Sequence, residues 1–146
     1  MGIDGLDDQT IRDVLLRTRR VALVGASNKP DRAAYEIQGF LTRWGMAVIP
    51  VNPGLASQVL QGETVVASLD DAAPLEMVDV FRASDHVPAV VDDAIRLGAR
   101  VIWMQLGVVH VEAAARARAA GITVVMDRCP SIEARRLHLS PWPRPT

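Results

Sequence analysis

The stretch VALVGASNKPDR, residues 21–32, joins an apolar β-branched run to a glycine, small polar residues, a proline and an arginine. An apolar run of this length that stops at glycine predicts a buried strand, and the polar residues after it predict a turn into a helix. Gly25 lets the backbone turn there and approach a ligand without a clashing Cβ. The stretch therefore predicts a strand, a tight turn and a helix, the unit from which α/β sheets are built.

This turn has the features of an anion site. The N-terminus of a helix offers backbone N–H groups and the positive end of the helix dipole to a bound phosphate. Ser27 adds a hydroxyl group, Asn28 a short polar side chain, and Arg32 a guanidinium suited to a forked contact with phosphate. The alternative is an ordinary strand-to-helix turn with Arg32 in solvent, and residue types alone leave both interpretations open.

The same alternation of patterns continues along the chain. Four more short apolar runs predict strands covered on both faces, at residues 46–51, 77–81, 101–105 and 123–127. Three segments with helical spacing lie between the strands, at residues 33–44, 87–97 and 111–120, and each is followed by a glycine that predicts its end. This order predicts an α/β fold: a Rossmann-like, doubly wound, mainly parallel sheet of five or six strands with helices on both faces.

The length of 146 residues suits a single domain, which we place at residues 1–139. A helix within residues 8–20 is expected before the first strand, and a short helix at residues 131–137 after the last. The tail SPWPRPT, residues 140–146, is rich in proline and is expected to be an irregular arm.

Two features disfavour a standard NAD(P) site. The segment GASNKP lacks the second and third glycines of the G-x-G-x-x-G pattern. The second strand ends in VNP, so Asn52 stands where an acidic residue would hold the ribose hydroxyl groups of NAD. An oxidoreductase-type NAD(P) domain therefore remains only an alternative.

Five segments in order resemble one known family. They are VALVGAS with a P-x-R downstream, VIPVNP, VDVFR, WMQLG and VVMDRCPSIE. Together they resemble the small stand-alone CoA-binding proteins, which are similar to the CoA-binding domain of succinyl-CoA synthetase α subunits. The resemblance extends from Val21 to Leu137, and it implies a Rossmann-like domain that binds coenzyme A or an acyl-CoA.

The resemblance also implies the residues that would contact CoA. Gly25, Ala26 and Ser27 would cradle the pyrophosphate, with Asn28 and Arg32 nearby. Residues that follow three other strands would complete the site: Asn52 and Pro53 beside the adenosine, Phe81 and Arg82 along the adjacent crevice, and Gln105, Leu106 and Gly107 near the pantetheine arm. All of them follow the carboxyl ends of predicted parallel strands, where ligands of such sheets bind.

One position departs from the family pattern. After VNP the relatives commonly carry lysine or arginine, a natural partner for the 3′-phosphate of CoA, but here the residue is Gly54. Either Arg32 or Lys29 could supply the missing charge, or the protein does not distinguish CoA from a ligand without that phosphate.

The charge and composition of the chain disfavour several other classes of protein. The chain has 16 basic and 17 acidic residues and a formal net charge of −1, without the concentrated basic excess of nucleic-acid-binding proteins. No apolar run approaches the roughly 20 residues of a membrane span. The N-terminus does not resemble a signal peptide, and the single cysteine excludes an intramolecular disulfide, so a cytoplasmic protein is expected. The alanine-rich segment at residues 111–120 could pack against a second copy of the chain.

No catalytic group or metal site is evident. The three histidines are scattered, without metal-ligand spacing. Cys129 is either a small buried residue or a reactive thiol able to form a mixed disulfide with CoA, and Asp127 and Arg128 could pair beside it. We therefore expect a binding protein that carries, senses or buffers CoA, not an enzyme. The alternatives are the NAD(P) domain and a protein-interaction module whose nucleotide pocket is vestigial.

Overall fold

The computed structural model describes residues 2–141. Besides two 3-10 helices at Pro53–Leu55 and Ser84–His86, it contains thirteen α-helices and β-strands within that range. In chain order they are α1 (Asp8–Arg17), β1 (Arg20–Val24), α2 (Ala33–Trp44), β2 (Ala47–Val51), β3 (Val59–Leu60), β4 (Glu63–Thr64), α3 (Leu69–Ala72), β5 (Met77–Val80), α4 (Val87–Arg96), β6 (Val101–Met104), α5 (Val111–Ala119), β7 (Thr123–Val125) and α6 (Pro130–Arg136). Most of the predicted proline-rich tail, residues 142–146, lies outside the described residues.

Five parallel strands form the central sheet in the order β2-β1-β5-β6-β7. The connection from β1 leads outward to β2, and the chain then returns to the other side of β1 to form β5. The loops that follow β1 and β5 therefore diverge to opposite faces, which makes the gap between their carboxyl ends the topological switch point. The doubly wound, Rossmann-like fold predicted from the sequence is confirmed, with five strands in the sheet.

Alternate residues of each strand pack on opposite faces of the sheet. Val21 and Leu23 of β1 join the core formed with α1, α2 and α6, while Ala22 and Val24 join the core formed with α3, α4 and α5. Both cores are apolar, so each strand needs hydrophobic residues at every position, as its near-continuous apolar sequence indicated. The site therefore rests on a sheet that is anchored from both sides.

The opening helix is shorter than the predicted range of residues 8–20. It ends at Arg17, because Thr18 is already extended, with φ −70° and ψ 128°. The N–H groups of Arg19 and Arg20 donate to the carboxylate of Glu76 at 2.6 and 2.9 Å, which starts β1 at Arg20. A tertiary contact, not helix propensity, sets this boundary.

A small antiparallel hairpin, β3 and β4, is an addition that the sequence did not predict. The side-chain amide of Gln38 on α2 donates to the carbonyl of Leu60 in β3 at 2.9 Å. Beyond the hairpin, Val66 forms a parallel bridge with Val51, so the chain returns along the outer edge of β2. Within residues 2–141, none of the helices combines the length and the apolar character needed to cross a membrane.

Candidate functional site

The turn after β1 is held between the ends of β2 and β5. Gly25 has φ 89°, and the carbonyl oxygen of Phe81 occupies the space that a Cβ at residue 25 would need. The N–H groups of Gly25 and Ala26 both donate to the carbonyl of Val51, at 3.0 and 3.2 Å. These two donors are therefore used by the fold, and any ligand must rely on the N–H groups that follow them.

The next N–H groups are free to bind an anion. Among residues 2–141, those of Ser27, Asn28, Ala33 and Ala34 have no protein acceptor. Arg32 is the N-cap residue of α2, but its side chain does not cap the helix. The first turn of α2 thus lacks the capping oxygen that most helices have, and its N-terminal donors remain available. This arrangement favours a bound phosphate.

The free donors face a first cleft of about 510 Å³ at the carboxyl edge of the sheet. Lys29 and Arg32 line it, and the described lining contains no carboxylate. Neither cation forms an ion pair within residues 2–141. An opening with two unneutralised cations and a helix N-terminus has a positive potential that suits a multiply charged anion.

Asn52 holds two loops of this cleft together. Its side-chain Nδ2 donates to the carbonyl of Ala26 at 2.8 Å, and its Oδ1 accepts from the N–H of Gly54 at 2.8 Å. Both polar atoms of the side chain are therefore engaged by the backbone. A carboxylate could accept from Gly54 but could not donate to Ala26, which explains in physical terms why this position suits an amide.

A second cleft of about 640 Å³ adjoins the first, and the two share Gly25, Asn52 and Phe81. Most of its other lining side chains are apolar and come from four parts of the chain: Val24, Val51, Pro53, Ala67, Leu69, Ala89 and Val90. Arg82 is half-buried in its wall, with its Cδ atom against Gly25, and has no acceptor within residues 2–141. The two clefts together form a groove across the switch point, with cations on one side and apolar walls on the other.

The structure does not bring every predicted residue into this groove. Gly25, Ala26, Ser27, Asn28, Arg32, Asn52, Pro53, Phe81 and Arg82 line one or both clefts, whereas Gln105, Leu106 and Gly107 line neither. Leu106 instead borders a separate cleft of about 280 Å³ at the end of β7, and the N–H of Gly107 donates to Asp127 at 2.8 Å. The structure thus places the segment after β6 outside both clefts.

Cys129 and Arg128 have structural contacts. The Cys129 side chain is buried in the core, with its Sγ atom 3.2 Å from the hydroxyl of Ser131. Arg128 forms ion pairs with Asp4 at 2.8 Å and with Glu133 at 2.6 Å. The pairing of Arg128 with Asp127 considered above is wrong, because Arg128 turns toward the N-terminal segment and α6. Within residues 2–141, no group of three or more His, Cys, Asp and Glu side chains could hold a metal ion.

Asp79 is a fully buried acid in the central sheet. It lies in the middle of β5, in register with Leu23 and Trp103, and both carboxylate oxygens lack a hydrogen-bond partner in the described structure. Burial raises the pKa of Asp79 well above its ordinary value of 3.8. Burial thus favours the neutral form of this acid over the charged form.

Sequence reasoning missed the far wall of the second cleft. Ala67, Ser68 and Leu69 follow the unpredicted hairpin, and His86 and Ala89 lie at the start of α4. The start of α4 could have been identified, because it follows a predicted strand as α2 follows β1. Residues 67–69 carried no such signal, since only the return of the chain along β2 brings them to the groove.

Comparisons with known proteins agree with this architecture. A family profile described as "CoA binding domain" matches residues 19–135. The chain is 36% identical over 120 residues to a Bacillus subtilis protein described as uncharacterized protein YneT, covering 82% of this chain and 87% of that protein. A hypothetical protein from Pyrococcus horikoshii has a similar structure, with 37% identity, a TM-score of 0.89 and coverage of 94% of this chain and 96% of that one. A Thermus thermophilus structure described as cell-free ID.343 has 35% identity and a TM-score of 0.85, covering 90% of this chain and 99% of that one.

Proposed function

Because the chain belongs to the CoA-binding domain family, we propose that it binds CoA or an acyl-CoA across the carboxyl edge of its sheet, as a carrier, sensor or regulatory module and not as an enzyme. The observation that carries the proposal is the first cleft, where four unbonded N–H groups and Arg32 face an opening without a described carboxylate. Such a site complements a diphosphate.

The diphosphate would lie against the N–H groups of Ser27, Asn28, Ala33 and Ala34, with the guanidinium of Arg32 beside it. Hydrogen bonds to a charged acceptor are stronger than those between neutral groups, so this contact would supply most of the polar binding energy. The donors are present before the ligand arrives, because the hydrogen bonds of Gly25 and Ala26 to Val51 already set the path of the loop.

The adenine base would enter the second cleft, and the ribose with its 3′-phosphate would stay at the junction with the first cleft, beside the residues that the two clefts share. The apolar side chains of the second cleft, Leu69 and Val90 among them, offer a surface against which a nucleobase can pack. Asn52 and Pro53 lie at the opening of the cleft. Arg82 would reach the ligand from the side of β5. The uncharged pantetheine arm would then pass the end of β6, where Leu106 presents an apolar side chain that is 53% exposed.

The polar groups of the groove are suited to binding and not to catalysis. Apart from the hydroxyl groups of two serines and the side chains of His86 and Asp93, they are cations, amides and backbone N–H groups, which hold an anion in the ground state without moving a proton. The carboxylate of Asp93 is engaged by Arg96 at 3.1 Å. We therefore expect that bound acetyl-CoA is not hydrolysed, and we place the protein in the cytoplasm, the compartment that its ligand and its single thiol suit.

Titration calorimetry of the intact protein tests the proposal directly. CoA should bind and release heat, and NAD should not. Arg32→Met should weaken CoA binding by about 1–3 kcal/mol, the range for a hydrogen bond to a charged group. Arg43→Met is the matched control, because Arg43 is exposed in the last turn of the same helix and lines neither cleft.

Three results would contradict the proposal. Folded protein that gives no heat with CoA would favour the interaction module with a vestigial pocket. Binding of NAD in preference to CoA would favour the dinucleotide domain. Release of free thiol from acetyl-CoA above the background rate, measured with a thiol reagent, would show that the protein is an enzyme.

A further inference from the structure

Lys29 stands out on the wall of the first cleft. It is the only lysine in the chain, and the other residues in the Lys and Arg total are all arginines. Its N–H donates to the hydroxyl of Ser27 at 3.1 Å, which fixes the backbone of the loop at this point, while its side chain is exposed. Its ammonium group has no carboxylate partner within residues 2–141.

Lys29 shares its cleft with Gly54 and Leu55, the first residues after β2. Gly54 has no side chain, and its N–H already donates to Oδ1 of Asn52 at 2.8 Å. This position therefore offers an anion neither a cation nor a free donor. A negative group of the ligand that lies beside Gly54 must find its partner on the opposite wall.

The first cleft contains one more cationic side chain than the proposed contacts with the diphosphate use. Arg32 and the N–H groups at the start of α2 already complement a diphosphate, and Arg82 approaches the same turn through its contact with Gly25. Lys29 remains as a further cation in a lining without a described carboxylate. A phosphomonoester carries a charge of about −1.5 to −2 at pH 7, so an additional phosphate is the group that would match this surplus.

We propose that the ammonium group of Lys29 binds a phosphomonoester on the ribose of the ligand, namely the 3′-phosphate of CoA. It would thereby supply the positive charge that residue 54 lacks. The inference rests on the proposed function and adds to it a preference for ligands that carry the 3′-phosphate. Lysine suits the task because its ammonium is a compact charge on a flexible stem, which can follow a phosphate without a fixed bidentate geometry.

The first experiment compares CoA with dephospho-CoA, which lacks only the 3′-phosphate. The wild-type protein should bind CoA at least about tenfold more tightly than dephospho-CoA, as for a hydrogen bond between charged groups. In Lys29→Met this ratio should fall to near one, because the affinity for CoA should fall much more than the affinity for dephospho-CoA. Gly54→Lys introduced into Lys29→Met should restore the preference, because it places a cation on the facing wall of the same cleft.

A second experiment uses the wild-type protein and does not depend on any variant folding. Since Lys29 is the only lysine, acetic anhydride at neutral pH has one side-chain ammonium to modify, and mass spectrometry can follow it against the α-amino group of the chain. CoA at saturation should slow the modification of Lys29 strongly. Dephospho-CoA at saturation should protect it much less.

The outcomes separate this inference from the proposed function. Absence of CoA binding by the folded wild type would overturn both. Equal affinity of the wild type for CoA and dephospho-CoA would leave CoA binding intact and overturn the role of Lys29. An equal loss of affinity for both ligands in Lys29→Met, or equal protection by both, would show that Lys29 contacts the diphosphate and would also overturn it.

Discussion

The side-chain amide of Asn52 donates to the carbonyl of Ala26, and this hydrogen bond of 2.8 Å joins the loop after β2 to the loop after β1. Ala26 is fully buried and its N–H is bound to Val51, so the peptide units on both sides of it are engaged by β2 or its loop. The N–H groups without a protein acceptor in the described structure begin with the next residue, Ser27. The position of the donors therefore depends on an amide that stands where a dinucleotide-binding protein would carry an acid.

Asn52→Asp should weaken both the fold and the site. A carboxylate keeps the hydrogen bond from Gly54 but cannot donate to Ala26, and leaving that buried carbonyl without a donor costs about 1–3 kcal/mol. The new charge also repels the diphosphate across the cleft. Urea unfolding would measure the first effect, and calorimetry with CoA the second.

Asn28→Asp is the control for that substitution. It adds the same charge to the same cleft, but the side chain of Asn28 has no hydrogen bond in the described structure. We expect weaker CoA binding with unchanged stability. If Asn52→Asp also unfolds at the wild-type urea concentration, the hydrogen bond to Ala26 does not hold the loops.

Gly25→Ala should lower the stability of the protein more than an alanine substitution at another glycine with a left-handed backbone conformation. A left-handed conformation costs a non-glycine residue about 1–2 kcal/mol, and Gly98→Ala should lose about this amount, because residue 98 has φ 77° and open space around it. At residue 25 the Cβ also meets the carbonyl of Phe81, so overpacking adds about 1–3 kcal/mol. Thermal unfolding of the two variants measures the difference, and equal losses would show that the β1 turn relaxes freely.

The sequence predicted those parts of the fold that local patterns determine. All five strands of the sheet and α2, α4 and α5 were predicted because each has a continuous apolar run or a helical period that ends at glycine. The hairpin at residues 59–64 has two residues in each strand, too few to show a period, and the contact of Gln38 with Leu60 supports it from α2. Its formation depends on tertiary structure that no local pattern reveals.

The features of the candidate site also fall into those that local sequence patterns predict and those that depend on tertiary structure. Gly25 and Arg32 were predictable because strand, glycine and helix follow one another directly in the sequence. That the N–H groups of Gly25 and Ala26 are taken by Val51 was not, since this depends on the register of β1 with β2. Leu69, on the far wall of the second cleft, was not predictable either, because only the return of the chain along β2 brings it to the groove.

Asp4→Ala should destabilise the protein strongly. The Asp4 side chain is fully buried and accepts from Arg128 and from the N–H of Met126. Its loss leaves the nearly buried guanidinium of Arg128 with Glu133 as its one carboxylate partner within residues 2–141. Breaking a buried ion pair costs about 3–5 kcal/mol. Asp8→Ala is the control, because the pair of Asp8 with Arg136 is half-exposed and surface pairs contribute little. Equal shifts of the urea midpoint in the two variants would contradict the ranking.

The pH dependence of stability should contain two opposing contributions. Burial alone would raise the pKa of Asp4, but hydrogen bonds from Arg128, Leu6 and Met126 outweigh it and lower that pKa. The stability that Asp4 contributes is therefore present above its unfolded pKa and is lost as the pH falls through the folded value. Asp79 behaves in the opposite way, because its folded pKa is raised. Below the unfolded pKa of Asp79 both states are protonated, and above it only the native state retains the proton.

Asp79→Asn should therefore become more stable relative to the wild type as the pH rises from about 4. In that range the unfolded wild type releases a proton that the native state keeps, so its stability falls by about 1.4 kcal/mol per pH unit until Asp79 ionises in the native state. The variant has no proton to exchange and a side chain of nearly the same shape. Urea unfolding of both proteins between about pH 3.5 and about pH 7, a range that starts near the ordinary carboxyl pKa, gives the difference directly. A difference that stays constant with pH would show that Asp79 is ionised in the native protein and has found a partner.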